Sequence, residues 1–338
     1  MKALNLAELE IFLRSLEDEF DLRAPIRLRD GSRALGRLSE GPLALQGGRI
    51  PRKPTELFFA QQEKVFDALA DGTYILPEPP PKPLLILGWT AEDLDCLEFI
   101  DRFFTAGFAD DLYLAKRRGA VIAGLSGECG AGGELLRLAG GKCDLELIAE
   151  GERFIIAPYS AAGRNLTARM TCVETNASLT QLRVASGLLP DDDRQLLRQA
   201  SALLRSGKVP DEFWAGIGER CIACTACNLV CPTCTCFGVQ DWSYPTHVER
   251  SRMWDSCQLD GFMREASGHN PLGSEALRSR RRIHHKLVAD LQRWGHFTCF
   301  LCRRCDSACP TGIGIIAVCR ELLARYADGG GGHLRNLK

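Results

Sequence analysis

Leu6, Leu9, Leu13 and Leu16 recur at intervals of three and four residues, the spacing that lines up apolar side chains on one helical face. Asn5 stands in the capping position before this run and Glu8 follows three residues later, so the pattern predicts an amphipathic helix opened by a capping box. A second helical stretch is expected near residues 57–69. The run PEPPPKP, residues 77–83, then stiffens the approach to a short apolar strand, LLILG from Leu84. Leu94, Leu97, Ile100, Phe103 and Phe104 form the inner face of the next helix, and AVIAGL from Ala120 reads as another strand. The apolar runs LELI (145–148) and RFII (153–156) flank Ala149, Glu150, Gly151 and Glu152 and read as a hairpin joined to the same sheet. These patterns predict an α/β domain over residues 1–185.

A helical linker, residues 186–212, is expected next. Its run DDDRQLLRQASALLRS places Asp191, Asp192 and Asp193 in the first turn, where negative charge suits the helix dipole. Residues 213–326 read as a mostly α-helical domain, with Ile283, Leu287 and Leu291 repeating every four residues. The tail, 327–338, contains Gly329 to Gly332 and is expected to be flexible.

Composition narrows the function. Forty-two basic and 43 acidic residues leave a formal charge of -1, so no global field favours nucleic acid or an anionic membrane as partner. Asn5, Glu8 and Glu10 interrupt the apolar residues at the start, unlike the h-region of a secretory signal. No segment approaches a membrane span of about 20 apolar residues. A cytoplasmic protein is expected. Sixteen cysteines in such a chain point to metal or thiol chemistry, because reducing compartments disfavour disulfides. Cys96, Cys129, Cys143 and Cys172 are scattered singly, whereas the other twelve crowd between Cys221 and Cys319.

Within that crowd, CIACTACNLVCP from Cys221 and CFLCRRCDSACP from Cys299 both obey C-x2-C-x2-C-x3-C-P. Three thiolates at three-residue spacing can hold three corners of one four-iron cubane, and in two-cluster ferredoxins the fourth cysteine of each run ligates the other cluster. The expected ligands are therefore Cys221, Cys224, Cys227 and Cys309 on one [4Fe-4S] cluster, and Cys299, Cys302, Cys305 and Cys231 on a second. Pro232 and Pro310 end the runs by turning the chain away. Zinc also takes four cysteines, usually as separated pairs, and a zinc-stapled scaffold without redox function is the rival reading. The 67 residues between Cys231 and Cys299 exceed the spacing of a compact bacterial ferredoxin and favour a helical dicluster ferredoxin.

Cys234, Cys236 and Cys257 lie in that insert, either as buried thiols beside the clusters or as ligands of a further iron–sulfur site. Cys319 falls inside the helical run IIAVCRELLARY and reads as core. The basic run RSRRRIHHK, with Arg278, Arg280, Arg281, Arg282 and Lys286, is either a solvated face or a set of cations beside anionic clusters or an acidic partner. The glycine-rich GECGAGG, residues 127–133, matches neither GxGxxG nor the Walker pattern and reads as a turn. No Ser/His/Asp set or carboxylate pair is nominated as catalytic.

The C-terminal third, with CPTCTCF, RMWDSC, HNPLG, RSRRRIHHK and the second cysteine run in order, resembles the iron–sulfur beta subunit of soluble sulfhydrogenase-type [NiFe] hydrogenases and the related A subunit of anaerobic sulfite reductase. The N-terminal part resembles the family through RKPTELFFAQQEKVF, LGWTAEDLDCLEFID and DDLYLAKRR, and departs from it at GECGAGGELL, where family members often carry a cysteine-rich segment. The resemblance implies a non-catalytic electron-transfer subunit that passes single electrons between a flavin subunit handling NAD(P)H and a catalytic hydrogenase subunit. The same relay in a sulfite, polysulfide or disulfide reductase is the alternative.

Overall fold

The computed structural model describes residues 2–175 and 192–327. The boundary expected near residue 185 and the tail from residue 328 fall outside them. The chain divides into two compact units: residues up to 60 with 65–175 and 245–249, and residues 61–64 with 192–244 and 250–327.

In the first unit, strand β1 (Lys2–Asn5) runs into helix α1 (Leu6–Arg14). The Glu8 backbone N–H donates to Asn5 Oδ1 at 2.9 Å, and the Asn5 N–H donates to the Glu8 carboxylate at 2.8 Å. This capping box satisfies two otherwise orphaned donors and contributes about 1 kcal/mol. Leu9 and Leu13 face the core as their spacing requires and Leu16, just past the helix, joins them, whereas Leu6, expected on the same face, stands exposed in the first turn.

The remaining strands are β2 (Asp21–Arg27), β3 (Arg33–Gly36), β4 (Gln62–Leu69), β5 (Tyr74–Ile75), β6 (Leu84–Trp89), β7 (Val121–Gly127), β8 (Leu145–Glu150), β9 (Arg153–Pro158), β10 (Val173–Glu174), β11 (Phe237–Ser243) and β12 (His247–Trp254). Eight of them form one sheet in the order β10-β1-β9-β8-β7-β6-β2-β3. Its centre, β2-β6-β7-β8, is parallel, and the expected hairpin is the antiparallel pair β8/β9, with Glu150 opposite Arg153. Every residue of β6 and β7 is buried, the continuous apolar pattern of parallel strands covered on both faces. Helix α2 (Ala91–Thr105) packs Leu94, Leu97, Ile100 and Phe104 inward and leaves Phe103 half-buried. Helices α3 (Asp111–Arg117) and α4 (Ala161–Arg169) complete this α/β unit. Residues 127–133 form a turn that returns to Leu136, closed by paired backbone hydrogen bonds between Gly127 and Leu136.

The helix expected near 57–69 is corrected. Pro54–Leu57 is one 3-10 turn with proline at its start, and Gln62–Leu69 is strand β4. Val65 and Phe66 favour extended backbone, and strand pairing overrides the weak helical pattern there. It belongs to a four-stranded sheet in the order β11-β12-β4-β5.

In the second unit, helices Asp192–Arg205, Asp211–Arg220, Glu275–His284 and Ile315–Tyr326 pack around Leu197, Phe213, Trp214, Ile283, Leu287 and Leu322. Cys319 is fully buried in this core. A π-helical turn, His285–Ala289, follows Glu275–His284 and adds a residue to the helical repeat, a feature common beside functional sites.

Candidate metal centre

The two cysteine runs share one local backbone. Ala223 and Leu301, each two residues after the first cysteine of its run, have φ of 52° and 62°. Thr225 and Arg303, two residues further on, have φ of 62° and 55°. Among the described residues these are the four non-glycine residues with positive φ. A left-handed conformation costs an L-residue roughly 1–2 kcal/mol, so four such residues at two matching pairs of positions mark a shape that surrounding structure imposes. Thr225 and Arg303 each begin a short helix, Ala226–Leu229 carrying Cys227 and Arg304–Ala308 carrying Cys305, and these two helices pack on each other.

This backbone brings Cys221, Cys224 and Cys227 to the wall of one cavity, which Cys309 of the other run also lines. The fourth cysteine of the second run therefore shares a cavity with the first three of the other run. On the other side, Cys299 lies within electrostatic reach of Cys302 and Cys305, and Cys305 within reach of Cys231. Burial and the neighbouring sulfurs push the Cys299 thiol up, and burial raises Cys305 to about 11 although Arg282 draws it down. Cys309 moves the other way. Burial opposes its ionisation, but the Thr311 hydroxyl at 3.5 Å and the Ile313 backbone N–H at 3.3 Å hold its thiol below the usual value. Such donors stabilise a sulfur in its thiolate form, the form that binds metal.

The basic run is not a solvated face throughout. Arg278, Arg282 and Lys286, spaced by four, are 3%, 5% and 5% exposed. Arg278 is tied to Asp260, Glu275 and the Leu272 carbonyl. Lys286 Nζ donates to Thr233 Oγ1 at 2.8 Å and lies near Cys231, Cys234 and Cys299. Arg282 lines the cavity with the four cysteines, and its buried Nε and Nη2 have no hydrogen-bond partner.

The insert cysteines fall into two pairs. Cys234 lies beside Cys231 and Cys236 beside Cys257, and the neighbouring thiol is the main influence holding both Cys231 and Cys257 below the usual value. Asn228 joins them: its amide donates to Cys257 Sγ at 3.1 Å, and its Oδ1 accepts from Cys227 at 3.9 Å and from Cys234 at 3.8 Å. Among the described residues no three His, Cys, Asp or Glu side chains converge on a point suited to a single metal ion. The donor set around the cavity, four soft thiols with the buried Arg282 cation and the Ile313 N–H, fits an anionic iron–sulfur cluster.

Sequence reasoning did not find Asn228 or Thr233. Single polar residues without a repeat give no periodic signal. The four-residue spacing of Arg278, Arg282 and Lys286 places them on one helical face but does not say whether that face is buried.

Residues 220–313 match the family described as a 4Fe-4S dicluster domain. The chain is also similar to sulfhydrogenase 2 subunit beta of Pyrococcus furiosus, with 25% identity over 277 residues, covering 79% of each protein. No solved structure matches the chain. Together the domain and the relative support the family suspected from sequence and an iron–sulfur electron-transfer subunit. Among the described residues no helix is long and apolar enough to cross a membrane.

Proposed function

We propose that this chain is a non-catalytic subunit carrying two [4Fe-4S] clusters, one held by Cys221, Cys224, Cys227 and Cys309 and the other by Cys299, Cys302, Cys305 and Cys231. The observation that carries the reading is the cavity lined by the first four thiols, drawn from both runs. When bound, such clusters accept and release single electrons. The protein's part is to hold thiolates in fixed positions, supply N–H donors to Cys309 and keep Cys305 and Cys231 out of water. The two helices bearing Cys227 and Cys305 pack together, which suits a short path between two centres.

The relay connects a flavin subunit that handles NAD(P)H with the catalytic subunit of a soluble [NiFe] hydrogenase, the arrangement suggested by the likeness to a sulfhydrogenase beta subunit. The first unit is an α/β domain that precedes a helical linker and a helical dicluster domain. The cytoplasm, a reducing compartment, keeps the cysteines of the two runs as free thiols able to bind iron.

Anaerobic purification with iron and zinc analysis tests the proposal. About eight irons per chain are expected. Zinc in place of iron would end it. Isolation of the native complex, with identification of its subunits, tests the assigned partners: a flavoprotein and a hydrogenase large subunit are expected.

A further inference from the structure

Arg282 is a buried cation whose charge no carboxylate answers among the described residues. Arg278, one turn earlier, has Glu275 and Asp260 within ion-pair distance, and Lys286, one turn later, has the Thr233 hydroxyl. Arg282 has two buried N–H groups, on Nε and Nη2, without an acceptor. Leaving such donors dry is unfavourable, and more so on a charged group. The guanidinium instead faces sulfur: Cys227, Cys305, Cys234 and Cys231 all lie within its electrostatic reach, and it lines the cavity of Cys221, Cys224, Cys227 and Cys309. Cys227 belongs to one proposed ligand set, and Cys305 and Cys231 to the other.

We propose that Arg282 is a positioning residue that raises the reduction potential of the proposed clusters, the counter-charge that makes an added electron easier to hold. The inference rests on the two-cluster reading. A cubane with four thiolates is already anionic, and reduction adds one more negative charge, here supplied by dithionite as the electron donor. A cation buried beside the thiolates stabilises the reduced form more than the oxidised one, and burial keeps the effect from being screened. Its unpaired N–H groups act in the same direction, because hydrogen bonds to cluster sulfur raise the potential.

The test is a dithionite redox titration of the full, iron-loaded chain, followed by electron paramagnetic resonance, for wild type, Arg282→Gln and Arg282→Lys. Gln removes the charge and Lys retains it. In Arg282→Gln at least one cluster should lose tenfold or more in its equilibrium for reduction, a fall of about 59 mV for one electron. Arg282→Lys should stay within threefold of wild type. A loaded Arg282→Gln chain with both potentials within threefold of wild type overturns the inference. If the Gln variant fails to take up iron, the Lys variant decides: loading with wild-type potentials supports the charge, whereas failure to load, or a tenfold loss, refutes it. A wild-type chain without iron would sink the two-cluster reading itself, a result separate from any comparison of variants.

Discussion

The Thr233 hydroxyl donates to the Thr298 carbonyl at 2.6 Å, joining the segment after the first cysteine run to the residue just before the second. Lys286 donates to the same hydroxyl at 2.8 Å, and the Thr298 N–H returns to the Lys286 carbonyl at 3.2 Å. The three residues form a closed, buried ring. Thr298 is held further by its own hydroxyl, which donates to Asp290 at 2.5 Å. Sixty-five residues apart in sequence, Thr233 and Thr298 hold the two runs in register.

Thr233→Val keeps the shape of the side chain and removes both roles of the hydroxyl. The Lys286 ammonium and the Thr298 carbonyl then lose their partner in a dry site, a cost on the order of 1–3 kcal/mol. Thr233→Ser should recover most of it. Denaturant unfolding of the anaerobic protein measures the difference, and a Val variant as stable as wild type would show the ring to be idle.

The crossed ligand sets make a non-additive prediction. Cys224→Ala and Cys309→Ala remove two ligands of one proposed cluster, so the double variant should keep about four irons, like either single variant. Cys302→Ala combined with Cys309→Ala touches both clusters and should leave little iron. Equal iron in the two double variants would mean that each run fills its own site without exchange.

The ligand pattern was legible because iron–sulfur chemistry imposes a rigid spacing, and C-x2-C-x2-C-x3-C-P carries it twice. The α/β unit was legible where one period dominated, as in Leu6 to Leu16 and in the LELI and RFII runs. It failed at 57–69, where Gln62–Leu69 is a strand that pairs locally with β5 and also with β12, far along the chain, and the second pairing left no trace in the local pattern. The choice between a solvated and a buried basic run was also beyond composition, since charge count is the same either way. Four-residue spacing pointed to one face, but only packing tells whether that face looks at water or at sulfur. Asn228 and Thr233 act through single hydrogen bonds, which leave no repeat to detect.

The left-handed residues of the runs carry backbone strain. Ala223, at φ 52°, carries the smallest side chain of the four and offers the cleanest test. Ala223→Gly removes the Cβ clash and should stabilise the chain by roughly 0.5–1 kcal/mol after the entropy that glycine adds to the unfolded state. Ala202→Gly, at an exposed position of the Asp192–Arg205 helix, should instead cost about that much. Matching losses at the two sites in chemical denaturation would contradict the positive φ at Ala223.

Cys129 and Cys143 of the first unit should behave as inert core. Burial pushes the Cys129 thiol up to about 12, with Arg33 drawing it back only in part, and its Sγ donates to the Ser126 carbonyl at 3.3 Å. Burial likewise raises Cys143 to about 12, with Glu146 adding to the shift. At pH 8 roughly one molecule in ten thousand would carry either thiolate, against about one in ten for an unfolded thiol, so alkylation of the native chain should be far slower than that of the denatured chain. The sign for stability follows from the raised values. The contribution of these thiols is whole below their unfolded value, near 9.0, and is lost as pH rises through about 12. Unfolding midpoints should therefore fall above pH 9, by up to ~1.4 kcal/mol per pH unit for each thiol. Mass-spectrometric mapping of iodoacetamide adducts, with and without denaturant, measures the first effect, and rapid native labelling of Cys129 and Cys143 would place them in reach of water and defeat the assignment.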